Sequence, residues 1–338
     1  MNIGKLFLIF TGLLFLSSCI QEYVVNSDDN ASENFELLWK TVDENYCFFE
    51  EKGIDWNAIK KEYEPLVSEK TSDEELFRIC SSMLSELKDG HVNLYSDFNT
   101  FRYWKWFLDY PQNFSWPLVE RNYLGAEYII AGKLKAKTIR DVGYCRYESF
   151  TAEITSANIH HAIKQLGNIK GLIIDIRDNG GGSVALVNEF ASCFFSKKTL
   201  TGYIKYKEGP GHDDFSDFFP QYIEPGSSVA FNGEIVILTN RLVYSAANDF
   251  VSTMKTLPNV TVIGDVTGGG GGAPFSSELY NGWRLRVARD PFFNIDKESI
   301  ENGVVPDIQI NMDKNEEIEG VDSMIEYAID YLLYRHSE

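Results

Sequence analysis

From Phe35 onward, apolar residues recur three and four positions apart through FELLWKTVDENYCFF, WNAIKKEYEPLV and DEELFRICSSMLSELKDG, the spacing that gives a helix one buried stripe. Asp73 stands before an acidic first turn and Gly90 follows the last turn, so these runs predict a small helical domain over residues 35–97. Residues 20–34 have almost no apolar periodicity and read as a flexible tether. After His91 the pattern alternates briefly in VNLYS. An aromatic-rich stretch follows, with Phe101, Tyr103, Trp104, Trp106, Phe107, Tyr110, Phe114 and Trp116, and runs into strand-like EYIIAGKL. This makes 98–140 an aromatic-rich β segment whose rings are expected mainly to fill core, with a peptide groove as the alternative.

From Val142 the period changes. VGYCRYESF reads as a strand, SANIHHAIKQL as a helix, and KGLIIDIRDNGGG as an apolar strand entering a glycine turn. VALVNEFASCFF is helical again. EIVILTN is a second buried strand, after which Ala247, Phe250, Val251, Met254 and Leu257 follow helical spacing. A third strand, VTVIGDV, enters TGGGGGA. A strand pair around WRLRVARDPFF, the Gly/Pro-marked DKESIENGVVPDIQI and an amphipathic helix, VDSMIEYAIDYLL, close the chain. Strand, turn and helix in repeated order predict an α/β fold with its functional loops gathered at one sheet end.

With 338 residues and 44% hydrophobic content, the chain can build one large or two ordinary domains around a sizeable core. Its net charge of −19 argues against nucleic acid as a partner, because phosphates require lysine and arginine, and points instead to attraction of basic peptides. Neither glycine turn matches a nucleotide-binding fingerprint, and no cofactor is implied. The start has another logic: Lys5 followed by the apolar run Leu6 to Leu16 has the length of a secretory signal segment, and it ends in LSSC. That ending resembles the lipobox of bacterial lipoproteins. It implies that residues 1–19 form a signal peptide, that Cys19 is lipidated, and that the protein is exported to the cell envelope on a lipid anchor. Cys47, Cys80, Cys145 and Cys193 contain no C-x-x-C pair, so neither a zinc nor a redox motif is indicated. Cys47 with Cys80 is the pairing to test.

Ser245 sits where strand pattern becomes helix pattern. There it is either an N-cap or a nucleophile whose oxyanion the helix N-terminus stabilises. His91 lies where a helix hands over to a strand, a position from which a side chain can point into a cleft. His160 and His161 fall on a helix, His212 in a Gly/Asp-rich loop and His336 in the tail.

Four motifs in one order, VGYCRYESF, GLIIDIRDNGGG, ILTNRLVYSAANDF and GDVTGGGGG with ENGVVPDI, resemble the tricorn and carboxyl-terminal processing (tail-specific) serine peptidases. The resemblance spans roughly residues 35–330. It implies a crotonase-like (ClpP/crotonase-type) α/β core over 141–338 behind the N-terminal helical domain, without a PDZ domain. In the processing branch a lysine base lies in the motif G-x-x-T-x-G-K-G, but Gly270 stands at that position here, which leaves a Ser-His-Glu arrangement as the better match. Carried over by motif, Ser245 is the nucleophile, His91 the base and Glu301 the orienting carboxylate, with an oxyanion hole from the N–H groups of Ala246 and of Gly181 or Gly182. Tricorn has a serine before its histidine, whereas this chain has Gly90, so Asp89 or a water is a further way of linking the histidine to a carboxylate. The expected function is a serine endopeptidase acting on exported or surface-accessible peptides, and the alternative is a catalytically silent binding lipoprotein on the same fold. Acyl-CoA chemistry on a related scaffold is disfavoured by export. Oligomeric state is not readable from the sequence.

Overall fold

The computed structural model describes residues 30–334, so the expected signal segment, Cys19 and His336 lie outside it. The chain opens with α1 (Ala31–Asn45), α2 (Trp56–Tyr63) and α3 (Asp73–Ser85), followed by the short strands β1 (Asn93–Tyr95) and β2 (Thr100–Arg102). Two short helices, α4 (Lys105–Leu108) and α5 (Trp116–Leu118), and the π-helical turn Val119–Leu124 lead into β3 (Ile129–Ala131), β4 (Leu134–Ile139) and β5 (Val142–Arg146). Then come α6 (Ser156–Gln165), β6 (Gly171–Asp175), α7 (Val184–Ser192), β7 (Thr199–Ile204), β8 (Phe219–Ile223), β9 (Ile235–Thr239) and α8 (Ala246–Met254). The remainder is β10 (Val260–Gly264), β11 (Gly272–Glu278), β12 (Arg284–Phe293), β13 (Ile308–Gln309), α9 (Lys314–Ile318) and α10 (Ser323–Tyr334).

Seven strands form the core sheet in the order β13-β10-β9-β6-β5-β4-β3, parallel from β13 to β5 and antiparallel at β4 and β3. The apolar runs are continuous because both faces are covered. In β6, Leu172 and Ile174 face α6, α7 and α8, whereas Ile173 faces α10; in β9, Ile235 and Ile237 alternate with Val236 and Leu238 in the same way. Arg177, just beyond β6, is fully buried and donates to Asp175 Oδ2 (2.6 Å) and to Asp322 Oδ1 (3.1 Å). Asp322 also accepts from the N–H groups of Met324 and Ile325, so one ion pair joins the cap of α10 to the start of the glycine turn.

A second, six-stranded sheet runs β2-β1-β12-β7-β8, with β11 on β12, and the N-terminal helices pack against it through Phe35, Leu38, Trp56, Met83 and Leu285. The structure distributes the expected segments differently. β1 and β2, from either side of residue 97, pair with each other and β1 also pairs with β12, while β3 and β4 form the edge of the core sheet. Helix α1 starts at Ala31, four residues before Phe35, because the Asn30 side chain accepts from Glu33 N (3.1 Å) and supplies a cap that apolar spacing does not reveal. Ser72, rather than Asp73, caps α3. Cys47, Cys80, Cys145 and Cys193 are free thiols. Among the described residues, no helix is long and apolar enough to cross a membrane.

Candidate active site

Ser245 is a junction residue with strained backbone, φ 57° and ψ −126°, between β9 and the first turn of α8. Its side chain makes no capping bond. The hydroxyl instead lies 2.9 Å from His91 Nε2, so the cap reading gives way to a serine–histidine pair that bridges 154 positions of sequence. Ser245 N donates to Gly269 O (2.8 Å), and Tyr244 N donates to Asn179 O (3.1 Å). The serine is therefore pinned by both glycine loops.

Gly181 has φ 90° and lies flat against the junction. A Cβ there would come within 2.9 Å of Ser245 Cβ and 2.8 Å of Ala246 N, so only glycine permits this approach. Ala246 N is the first N–H of α8, one of the donors a helix cannot satisfy internally. The N–H of Gly181 donates to Asn179 Oδ1 (3.0 Å), and Gly182 packs on the backbone of Phe150.

His91 is 3% exposed, and its ring packs against Tyr244 at 4.9 Å between centroids. Burial pushes its pKa down to about 4; Asp89 opposes that shift, while Arg286 and Lys52 add to it. Nδ1 of the ring has no protein partner. Glu301 does not reach it. The Glu301 carboxylate contacts Lys52 Nζ (2.7 Å) through Oε1 and accepts from Gly271 N (2.8 Å) through Oε2, which corrects the expectation that it orients the imidazole directly. Asp89 holds the backbone rather than the ring, accepting from His91 N at 2.7 Å.

Lys52 was not legible in the sequence. From the loop after α1 its ammonium reaches Glu301 and, at 3.3 Å, Asp89 Oδ2, which also accepts from Tyr46 OH (2.9 Å). Burial alone would raise the Asp89 carboxyl, but Lys52, His91 and the Tyr46 hydroxyl outweigh it and hold the group below its usual range. The Glu301 carboxyl is raised, first by burial and then by the Asp89 charge. One ammonium thus stands between two buried acids, and the acid with fewer donors is the one whose pKa is pushed up.

Two departures from the expected motifs have steric causes. A side chain at Gly90 would meet Trp106 Nε1 at 2.6 Å and Tyr244 OH at 2.9 Å; the tyrosine hydroxyl occupies that space and donates to Asp89 Oδ1 (3.4 Å). At Gly270 a Cβ would lie 2.4 Å from the same tyrosine ring, so Tyr244 fills the volume a lysine there would need. The stretch Gly268–Gly272 also connects the two sides of the site. Gly268 N donates to Val243 O, Gly270 N to Glu301 O and Phe292 N to Gly271 O.

Ser245, His91, Tyr244 and Gly181 border a cleft of about 510 Å³. The aromatic segment divides: Trp106 stacks on Tyr244 at 4.1 Å and, with Tyr103, Trp104 and Phe107, lines the cleft, whereas Phe114 and Trp116 pack on the core. The remaining histidines within the described residues lie elsewhere. His160 bonds the Ser156 and Ser228 carbonyls, and His212 bonds Asp43 (2.8 Å).

Comparison with known proteins gives this arrangement its relatives. The model of peptidase family S41 matches residues 141–310, and that of the tricorn protease C1 domain matches 27–85. A candidate peptidase from Parabacteroides merdae ATCC 43184 is 44% identical in its crystal structure, with a TM-score of 0.87 over 90% of this chain and 98% of that one. Tricorn protease of Thermoplasma acidophilum is 32% identical over 167 residues, 48% of this chain and 14% of its own. That of Thermoplasma volcanium is 26% identical over 321 residues, 93% of this chain and 27% of its own, so the chain spans about a quarter or less of the tricorn proteases it matches. With the S41 model covering half of the chain and a tricorn-type segment preceding it, the protein belongs to peptidase family S41.

Proposed function

We propose that the protein is a serine endopeptidase in which Ser245 is the nucleophile and His91 the general base. The observation that carries this reading is the 2.9 Å contact between Ser245 Oγ and His91 Nε2 at the N-terminus of α8. A serine hydroxyl attacks a peptide carbonyl only if its proton is accepted as the bond forms, and a neutral imidazole at this distance accepts it. The oxyanion then meets Ala246 N–H and the positive end of α8, with the N–H of Gly181 or Gly182 as second donor. If Gly181 serves, it exchanges the Asn179 oxygen for the oxyanion. His91 returns its proton to the departing amine, and water repeats the sequence on the acyl-enzyme. Lys52, Asp89 and Glu301 act as positioning residues beneath the histidine.

The test combines hydrolysis of a diverse peptide library with fluorophosphonate labelling. Cleavage together with label on Ser245 is expected; peptide binding with neither cleavage nor label would establish the silent binding protein instead. Acid should inhibit late. Because burial depresses the His91 pKa, the imidazole is neutral, and able to act as base, at every pH above about 4. The acid limb of kcat/KM should therefore fall near pH 4, and a limb at the ordinary histidine value of about 6.5 would show that the ring is not buried in the working enzyme.

Export on a lipid anchor is part of the same proposal, supported by the apolar run Leu6 to Leu16 and by LSSC, and Cys19 lies outside the described residues. Cys19→Ser should move the protein from the membrane fraction to the soluble fraction; equal partitioning of both forms would remove the anchor.

A further inference from the structure

The net charge of −19 favours basic substrates, but one wall of the cleft has the opposite sign. Asn93 on β1 pairs with Arg102 on β2 and with Arg286 on β12, so the three lie side by side across the sheet at one register, and all three line the cleft beside Ser245. On β11 the row continues with Ser276, opposite Arg286, and contains no acid. Arg286 has only a 3.5 Å contact with Asn93 Oδ1, and Arg102 lies over the Tyr95 and Trp104 rings; among the described residues neither guanidinium is ion-paired. In a chain with 50 acidic and 31 basic residues, carboxylate partners were plentiful. Strands lie about 4.8 Å apart, which places the two arginine backbones roughly 10 Å apart, a gap that a carboxylate can enter.

We propose that Arg102 and Arg286 form a carboxylate subsite on the leaving-group side of the cleft. Preferred substrates then carry an acidic side chain, or a free C-terminal carboxylate, within a few residues after the scissile bond. The side follows from the chemistry. His91 protonates the departing amine, and the row begins two residues beyond His91 along the chain. This inference rests on the peptidase reading for its placement but not for its measurement.

Peptides differing only by Glu or Gln at each of the three positions after the cleaved bond, each with a free or an amidated C-terminus, separate the two carboxylate sources. At least one carboxylate should raise kcat/KM about tenfold or more, mainly through KM. The ratio should collapse towards one in the Arg102→Gln, Arg286→Gln double variant and be partly kept in Arg286→Lys. Because Arg286 also acts on His91, a fall common to both peptides reports on the base, and only the ratio reports on the subsite. Fluorescence anisotropy on Ser245→Ala measures the same preference without turnover: equal affinity for Glu and Gln peptides and for both termini overturns the subsite. Carboxylate-dependent binding by a protein that neither cleaves peptides nor takes up fluorophosphonate would preserve the subsite and sink the peptidase reading.

Discussion

Ser245→Ala should lower kcat by on the order of 10⁶-fold, and His91→Ala by a similar factor, with the double variant little worse than either single one. The reason is the shared proton. Without the imidazole the hydroxyl keeps its hydrogen as it approaches the carbonyl, and without the hydroxyl the imidazole has nothing to activate. What survives is substrate positioning and the Ala246 N–H, whose contribution a side-chain change leaves intact. Single-turnover hydrolysis of one good peptide measures all three variants. Losses that multiply in the double variant would mean that the two residues act separately, against the 2.9 Å contact.

Lys52→Met should be the most damaging change outside the serine–histidine pair. It leaves Asp89 and Glu301 buried without their shared cation, and stranding a buried charge typically costs about 3–5 kcal/mol. Urea denaturation should show the loss. A second substitution, Glu301→Gln, should recover much of it, because only one acid then needs a partner and Asp89 retains the Tyr46 hydroxyl and His91 N–H as donors. Catalysis should register the change separately. Lys52 lowers the His91 pKa, so its removal favours the imidazolium and moves the acid limb of kcat/KM upward. An unchanged urea midpoint in Lys52→Met would mean that the ammonium is not holding the acids.

How much of this was legible depends on range. Ser245 was visible because strand period becomes helix period at that residue, and His91 because it opens a strand after a helix stop. Both are local signals. The parallel core was legible too, since β6 and β9 need both faces covered and so carry unbroken apolar runs. Three-residue strands such as β1 and β2 are too short to display alternation, and the β2-β1-β12 order sets the Arg102–Asn93–Arg286 row only in three dimensions. Lys52 is a single lysine in a loop, and nothing near it in sequence announces two acids that lie 37 and 249 positions away. Glu301 shows the limit of motif transfer: the glutamate occupies the expected loop, but its oxygens go to Lys52 and to Gly271 N rather than to His91.

The stretch Gly268–Gly272 looked like the least informative part of the chain, a run of one residue with no side chains. Its placement makes it among the least replaceable. A methyl group at Gly268 would strike Arg241 O and Trp106, at Gly269 the Glu301 carbonyl, at Gly270 the Tyr244 ring, and at Gly272 Ala288 and Phe48. These neighbours are backbone carbonyls, packed rings and a buried methyl rather than the free ends of flexible side chains, so none of the collisions is relieved by a simple rotamer change. In a library of all single-codon variants, this low-complexity tract should therefore be nearly empty of survivors, whereas charged, variegated helix surfaces nearby accept most replacements. Sequence monotony here records mutational intolerance, and the nucleophile can drift in evolution only as far as five glycines allow.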